Sequence, residues 1–272
     1  MTEASFARPG DEAQLVRLYR SAFPDGADFW HWFLKSGPYR PENTLVRREA
    51  GQVVSSLQML PVRLDIGGEV WDAQYIYAAA TLPEWRGKGL MGHLLEQAAE
   101  EGRLRGQQFS VLIVEEPGLL DYYARFQYRP QIAWGLCPTG TALPEANEHC
   151  RRIQPGDIPA INDIYEAAAR AVPHGIRNRE HWEKQLELYA ENAQLLEKSG
   201  RVTAYCFTDE NGIAEVCGPG GERLAAKLRP GESFCAPVMQ GQTEISGSIR
   251  PLNGTADALL GDRFLYLNLM YN

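Results

Sequence analysis

The sequence has few of the residues that build metal centres, disulfide frameworks or membrane spans. Its five cysteines are scattered and form no Cys-x-x-Cys pair: Cys137, Cys150, Cys206, Cys217 and Cys235. We therefore expect neither a disulfide framework nor a metal site, and the cysteine usage favours a reducing cytoplasm. No run approaches 18 uncharged apolar residues, and the first residues lack a basic segment followed by an apolar run, so neither a membrane span nor a secretory signal is expected.

Positive charge is also scarce. The chain has 27 Lys and Arg against 35 Asp and Glu, a net charge of −8. This balance argues against a sequence-independent nucleic-acid surface and slightly favours cationic partners. With 44% apolar and 23% charged residues, the 272 residues are typical of a globular protein with one large domain or two of ordinary size.

Two stretches of the chain are similar to each other. Residues 6–19 read FARPGDEAQLVRLY and residues 153–165 read IQPGDIPAINDIY. Both place Pro-Gly-Asp between a short apolar start and an amphipathic run that ends in tyrosine. We expect Asp11 and Asp157 to cap the helices that follow, because an aspartate carboxylate can accept hydrogen bonds from the unpaired N–H groups of a first turn.

The elements after each start follow in the same order. A strand-like run, a turn, a helix and a second strand-like run occupy residues 73–114 in the first half and 213–239 in the second. This order predicts two copies of one α/β unit, residues 1–140 and 150–272, divided near the polar, proline-bearing stretch 138–152. A coincidental likeness of two helix starts is the alternative.

The most informative segment surrounds a glycine-rich turn. Residues 73–81 (AQYIYAAAT) predict a strand that Pro83 ends, since proline cannot donate to a ladder. Residues 86–92 (RGKGLMG) follow, and apolar residues at i, i+4 spacing then predict a helix. The glycines and the unpaired N–H groups of that helix predict an anion site, worth about 1 kcal/mol per anion from the helix end alone. Arg86 and Lys88 add two positive charges.

Three kinds of phosphate site compete for this turn. The P-loop pattern Gly-x-x-x-x-Gly-Lys-Ser/Thr is not met, because Gly89 follows Lys88 and Leu82 stands where the first glycine belongs. The dinucleotide fingerprint Gly-x-Gly-x-x-Gly is present in letters at Gly87, Gly89 and Gly92. However, the six residues from Thr81 to Arg86 stand between the apolar run of the strand and Gly87, which should follow its strand directly. It stays an alternative that calorimetry with NAD against CoA decides.

The third kind of site matches best. Residues 81–90 (TLPEWRGKGL) resemble the acyl-CoA-binding turn of the Gcn5-related N-acetyltransferases (GNAT), whose pattern is Arg/Gln-x-x-Gly-x-Gly/Ala at a strand–turn–helix junction. Arg86 and Gly89 match this pattern, whereas Met91 takes the place of the second small residue.

A second motif strengthens the resemblance. Residues 122–128 (YYARFQY) resemble that superfamily's second CoA-facing helix, usually Tyr-x-x-Phe-Gly-Phe/Tyr, with Gln127 in place of the glycine. The tandem layout is similar to the branch that contains the enhanced intracellular survival acetyltransferases. The resemblance implies, for each domain, a mixed, mostly antiparallel twisted sheet flanked by helices.

The resemblance also implies acetyl-CoA as co-substrate, with no metal. The pantetheine arm would pair with the strand end, and the turn would cradle the pyrophosphate. The residues implied in cofactor binding are Ala79, Ala80, Thr81, Arg86, Gly87, Lys88, Gly89, Leu90, Met91 and Gly92.

Acetyl transfer to an amine needs an oxyanion donor, a proton for the sulfur and a base. We expect a free backbone N–H at Thr81 or Leu82 to be the oxyanion donor. Tyr123 matches the position of the family's tyrosine acid, and simple aromatic packing is its alternative role. Glu115 and Glu116 are the candidate bases, because an alkyl amine with a pKa of about 10.4 must lose a proton before it attacks. Surface carboxylates without a catalytic role are the alternative for these two.

Two further groups are candidates for the acceptor site: the end of the chain and an aromatic cluster near its start. In the resembling family a chain-terminal carboxylate can serve as base, which here would be that of Asn272, after a predicted strand over 264–270. Trp30, Trp32 and Phe33 are expected beside the acceptor, and core packing explains them equally well.

The second half lacks the basic turn. Its equivalent, Gly218-Pro219-Gly220-Gly221, carries no basic residue before Arg223, so we do not expect it to bind CoA. It would instead wall the acceptor pocket or orient the first half. The sequence thus predicts a cytoplasmic, acetyl-CoA-dependent N-acetyltransferase acting on a small-molecule amine, with no nucleic-acid or membrane partner. A non-catalytic acyl-CoA-binding sensor or interaction module is the alternative.

Overall fold

The computed structural model describes residues 4–237 and 242–270. The first elements are β1 (Ser5–Phe6), α1 (Glu12–Arg20), α2 (Ala27–Lys35), β2 (Thr44–Glu49), β3 (Gln52–Asp65), β4 (Val70–Thr81), α3 (Leu90–Leu104), β5 (Phe109–Ile113) and α4 (Leu119–Ala124). The later elements are β6 (Arg129–Pro138), β7 (Glu148–Arg152), α5 (Ile158–Ala169), β8 (His174–Ile176), α6 (Arg179–Tyr189), β9 (Ala193–Lys198), β10 (Arg201–Asp209), β11 (Gly212–Cys217), α7 (Gly221–Leu228), β12 (Ser233–Ala236), β13 (Gln242–Pro251) and α8 (Gly254–Leu260). Among the described residues, no helix combines the length and apolar composition that crossing a bilayer requires.

The chain forms two compact units. The first takes in the residues through Arg63, then Trp71–Pro130 and Gly247–Gly261. The second takes in Leu64–Val70, Gln131–Ser246 and the residues from Asp262 onward. Each unit thus contains segments from both sides of the stretch 138–152. The division into domains 1–140 and 150–272 stays a prediction.

The first unit contains a mixed sheet. Strands β1 to β5 lie side by side in chain order, and β13 follows β5. The pairs β1–β2, β2–β3 and β5–β13 are antiparallel, whereas β4 and β5 are parallel. A parallel pair needs a crossover, which α3 supplies. The predicted fold class, a mixed and mostly antiparallel sheet flanked by helices, is confirmed.

The second unit repeats this pattern of pairing. Its strands lie in the order β6, β12, β11, β10, β9, β7. The pair β11–β12 is parallel and brackets α7, whereas β12–β6, β10–β11, β9–β10 and β7–β9 are antiparallel. In each unit the strand beyond the parallel pair comes from a distant part of the chain: β13 beside β5, and β6 beside β12.

Helix α3 packs its apolar face on the sheet of the first unit. Leu94, Leu95 and Ala98 are completely buried and share a core cluster with Ile76 of β4 and Leu112 of β5. This is the i, i+4 stripe that the sequence predicts. Because α3 is anchored on both strands of the parallel pair, its first turn is fixed beside the ends of those strands.

The two Pro-Gly-Asp turns depart from the prediction in the same way. Asp11 and Asp157 lie at the N-caps of α1 and α5, but neither side chain caps its helix. Each carboxylate accepts instead from a backbone N–H three residues earlier, that of Arg8 at 2.6 Å and that of Gln154 at 2.8 Å. An arginine of a neighbouring strand also pairs with each carboxylate and turns it away from the helix.

The predicted strand over 264–270 is wrong. Leu265 and Tyr266 form only single bridges, to Ile132 and His174. Leu269 has a φ of +51°, which a regular strand does not allow. The segment is apolar because it is buried, not because it is a strand.

Candidate active site

The glycine turn links β4 to α3 as predicted. Gly87 and Gly89 have φ values of +72° and +75°, which residues with a side chain rarely adopt, and Gly89 is the N-cap of α3. A Cβ built at either position would meet no atom within 4 Å. The glycines are therefore required by the backbone conformation, and they leave open space in front of the turn.

The N-terminus of α3 faces this turn. His93 donates the first intrahelical hydrogen bond, to the carbonyl of Gly89 at 3.2 Å. The N–H groups of Leu90, Met91 and Gly92 precede that bond and have no acceptor within the helix. Together with the helix dipole they form an arrangement that binds anions such as phosphate.

Two exposed cations are held at the turn by contacts with the protein. The Nζ of Lys88 lies 4.1 Å from the centroid of the Trp85 ring. Arg86 donates from Nε to the carbonyl of Thr81 at 3.0 Å, and its Nη2 lies 3.5 Å from the carbonyl of Ser21. These contacts keep both positive charges near the turn, where they raise the local potential.

Strands β4 and β5 separate well before β4 ends. Their parallel register reaches Tyr75↔Val111, whereas β4 continues to Thr81. Ala78 has a φ of +48°, a local kink of the kind that re-aims a strand. The gap beside β4 can accept an extended ligand that pairs with the strand's backbone.

One of the two expected oxyanion donors is occupied. The N–H of Leu82 donates to the carbonyl of Val54 at 2.9 Å, because β3 still pairs with the chain at this residue. The expectation for Leu82 is therefore wrong. Backbone groups of successive strand residues point to opposite sides, so those of Thr81 face away from β3. Thr81 stays the candidate donor.

Tyr123 packs among other tyrosines at the end of the gap. Its ring centroid lies 5.3 Å from that of Tyr122 and 6.0 Å from that of Tyr128. Burial raises the pKa of Tyr123, with smaller contributions from Tyr128, Tyr122 and Glu115. The hydroxyl is therefore protonated at neutral pH and can donate a hydrogen bond to a leaving sulfur.

Glu115 lies within electrostatic range of the same tyrosine. Partial burial raises its pKa, and Asp25 and Glu116 raise it further. The charge of Glu115 also contributes to the raised pKa values of Tyr75 and Tyr77 on β4. The charge of Glu115 thus acts on Tyr123, and the charge of Asp25, which no sequence motif marks, acts on Glu115.

Glu116, like Glu115, is exposed on the surface of the protein. Its backbone carbonyl accepts a hydrogen bond from the N–H of Leu119 at 2.9 Å, at the start of α4. The third candidate base, the terminal carboxylate of Asn272, lies outside the described residues.

The two predicted motifs touch each other. A Cβ at Gly92 would lie 2.7 Å from the Cζ of Phe126. Met91 is half-buried and packs on the same core cluster as Phe126. Gln127 has a φ of +62°, the conformation for which the resembling family uses glycine.

The aromatic residues of α2 belong to the core and also adjoin β4. Trp30 and Phe33 are buried, and the Phe33 ring lies 5.2 Å from that of Tyr77. Trp32 is half-buried, and its ring centroid lies 5.8 Å from that of Phe29, with the two rings tilted. Core packing therefore accounts for Trp30 and Phe33, which line the inner side of α2.

The glycine turn of the second unit is filled by protein atoms. Gly218 and Gly220 also have positive φ values. A Cβ at Gly218 would lie 2.3 Å from the carbonyl oxygen of Thr203, and one at Gly220 would lie 2.7 Å from the guanidinium of Arg223. The space that is open in the first unit is closed here, which supports the prediction that this turn does not bind CoA. Within the described part of the chain, no group of His, Cys, Asp or Glu has the arrangement of a metal site.

Comparison with known proteins identifies the first unit. Residues 3–131 match the family model described as an acetyltransferase (GNAT) domain. No curated protein matches the chain significantly.

Several solved structures share the fold. A conserved protein from Enterococcus faecalis, described as a probable N-acyltransferase, has 13% identity and a TM-score of 0.72 over 94% of this chain and 74% of its own. Eis1 from Mycobacterium abscessus has 12% identity and a TM-score of 0.67 over 96% and 76%. N-myristoyltransferase from Saccharomyces cerevisiae, with bound myristoyl-CoA, has 11% identity and a TM-score of 0.59 over 91% and 82%. At these identities the likeness shows the fold alone, and the match over residues 3–131 supports acyl transfer in general. Residues 3–131 therefore match an acetyltransferase (GNAT) domain, and the protein is an enzyme of the N-acetyltransferase class.

Proposed function

We propose that the protein transfers an acetyl group from acetyl-CoA to a primary amine of a small acceptor, by direct attack of the amine on the thioester. The observation that carries the proposal is the open backbone at Gly87 and Gly89, which follows the part of β4 that no longer pairs with β5. A diphosphate needs the first feature and an extended pantetheine arm needs the second.

Most hydrogen bonds to acetyl-CoA would come from backbone groups of the protein. The N–H groups of residues 87–92 would hold the pyrophosphate, with Arg86 and Lys88 adding charge. Ala79, Ala80 and Thr81 would pair with the pantetheine arm as an added strand. This assignment places the thioester beside the end of β4, near Tyr123 and Glu115.

The transfer would follow from these positions. The amine nitrogen bonds to the thioester carbon, and the N–H of Thr81 stabilises the oxyanion that forms. Glu115 takes the proton that the amine loses, and its raised pKa makes it a stronger base than an ordinary carboxylate. The C–S bond then breaks, and Tyr123 supplies a proton or hydrogen bond to the departing sulfur. Glu116 is the second candidate base.

The matching pattern of strand pairing in the two units supports a second, structural part of the proposal. We propose that the second unit is a copy of the first that has lost CoA binding. Its filled turn at Gly218 and Gly220 is the feature that supports this loss.

Release of free thiol from acetyl-CoA tests the proposal. The protein is incubated with acetyl-CoA and a panel of amines that includes diamines, amino acids and amino sugars. We expect amine-dependent thiol release together with an acetylated amine detected by mass spectrometry. Binding of CoA by calorimetry without thiol release from any amine would instead indicate an acyl-CoA-binding module.

A further inference from the structure

An open groove of about 470 Å³ lies on helices α1 and α2 of the first unit. Its lining residues are Ala13, Val16, Arg17, Arg20, Ser21 and His31. The side chains of Ala13 and Val16 form a small apolar patch. The other four side chains can all donate hydrogen bonds. Among the residues that the structure describes, no carboxylate lines the groove.

The charge of this lining is opposite to that of the protein as a whole. The chain has a net charge of −8, whereas the groove presents two guanidinium groups and an imidazole. Arg17 and Arg20 stand three residues apart on α1, where like charges repel each other. The helix dipole accounts for basic residues in the last turn of α1, but it does not account for His31, which comes from α2. An anion shared by the three side chains accounts for all of them.

The Arg86 side chain links a lining residue of the groove to the candidate active site. Ser21 lines the groove, and its carbonyl oxygen lies 3.5 Å from the Nη2 of Arg86. The Nε of the same guanidinium donates to the carbonyl of Thr81, at the strand end where the oxyanion donor is expected. A single side chain thus spans the distance between the groove and the reacting end of β4.

We propose that this groove binds a carboxylate or phosphate group of the acceptor, so that the acceptor is an amine that also carries a negative charge. The inference rests on the proposed function and narrows its substrate class. CoA already has its diphosphate placed at the glycine turn, which leaves the groove for the other substrate. The opposite end of the acceptor suits the site as well, because Asp25 and Glu115 attract an ammonium group.

The same anionic chemistry occurs in one other group that could reach the groove, the 3′-phosphate of CoA. The experiment therefore needs one arm that detects any anion in the groove and a second arm that tells the two sources apart.

The first arm measures binding without catalysis. Inorganic phosphate is titrated into the full chain while the imidazole signals of His31 are followed by NMR, with a His31→Gln variant for assignment. We expect phosphate to shift the His31 signals, and the apparent Kd to rise at least about tenfold in an Arg17→Gln/Arg20→Gln variant, because charge-assisted hydrogen bonds are lost. Lys35→Gln is the matched control, since it removes a positive charge from the exposed side of α2 outside the groove. Unmoved His31 signals in the wild type, or equal phosphate binding in the double variant, would overturn the proposal.

The second arm measures specificity. Acetyl transfer is compared between ω-amino acids and their amides, which differ only in the anionic group. We expect kcat/KM to favour the carboxylates by about tenfold or more in the wild type and in Lys35→Gln, and this preference to disappear in Arg17→Gln/Arg20→Gln. The KM for acetyl-CoA should not change.

Two results would overturn the assignment to the acceptor. In the first, the double variant raises the KM for acetyl-CoA but does not raise the KM for acetyl-3′-dephospho-CoA. The groove would then hold the 3′-phosphate of the cofactor. The other is equal transfer to acids and amides in the wild type. Phosphate binding without transfer to any amine would leave the anion site standing while the proposed function itself fails.

Discussion

Gly92 of α3 and Phe126, just after α4, are in such close contact that a Cβ on the glycine would lie 2.7 Å from the ring. The contact joins the two segments that carry the family resemblance. It also places the tyrosine-bearing helix α4 against the helix whose N-terminus faces the glycine turn. The close approach of these segments therefore depends on Gly92. The neighbouring position does not need a small residue, so it can hold Met91.

Gly92→Ala should therefore destabilise the protein by about 1 kcal/mol, because the added methyl group must displace the Phe126 ring. Urea unfolding measures this loss. The double variant Gly92→Ala/Phe126→Leu should recover part of it, since leucine does not reach as far. If the double variant loses as much unfolding free energy as the two single variants together, the two residues do not compete for this space.

Gly89→Ala should separate backbone strain from ligand binding. An L residue with φ near +75° loses about 1 kcal/mol of stability. We also expect the Kd for CoA to rise at least about tenfold, because the backbone at this position must approach the pyrophosphate. Gly106→Ala is the matched control: Gly106 has a φ of +73° and equally open surroundings, but it follows the far end of α3. It should lose as much stability and keep its affinity, and a parallel loss of affinity would count against the turn as the binding site.

Gln127→Gly should stabilise the protein. Gln127 has a φ of +62° and an exposed side chain, so glycine removes strain without removing a buried contact. The gain is reduced by the larger chain entropy of glycine in the unfolded state, which leaves about 0.5–1 kcal/mol. Denaturant unfolding checks the value, and Gln127→Ala should give no gain. Equal stability of the glycine and alanine variants would mean that the backbone is not strained here.

The segment β4–α3–β5 could be predicted from the sequence because its signals are local. Pro83 ends the strand, the spacing of Leu90, Leu94 and Ala98 indicates a helix, and the glycines mark the turn between them. The pairing of Arg48 with Asp11 could not be predicted, since it depends on a strand more than thirty residues away. The helix cap predicted from Asp11 fails for that reason.

Other features of the site could not be predicted from the sequence, because they depend on residues that are distant in the chain. Asp25 lies in the loop between α1 and α2 and has no motif around it, yet its charge raises the pKa of Glu115. Nothing in the periodicity of β13 shows that it lies beside β5 rather than beside β12. Such relationships depend on the tertiary fold, whereas helix starts and strand ends are set by neighbouring residues.

Tyr123→Phe should lower kcat by about 10²-fold and leave the KM for acetyl-CoA nearly unchanged, because it removes a proton donor and keeps the packing ring. The pKa of Tyr123 is raised by burial, so the wild-type activity should not fall on account of this group as the pH rises from 7 to 9. Tyr122→Phe is the control, since Tyr122 occupies the same helix. Equal activity of Tyr123→Phe and the wild type would assign Tyr123 to packing.

Glu115→Gln should remove the acidic limb of the pH profile. A general base acts only when deprotonated, so kcat/KM of the wild type should rise with pH through the pKa of Glu115. Partial burial, with a smaller contribution from Asp25, raises this pKa above the ordinary value of 4.5. The glutamine variant cannot lose this proton, and we expect a rate about 10²-fold lower without that limb. Glu116→Gln, one residue along, should retain both the rate and the limb. If Glu116→Gln instead loses the limb and Glu115→Gln keeps it, the proton is taken by Glu116, and Glu115 serves only to attract the ammonium group of the acceptor.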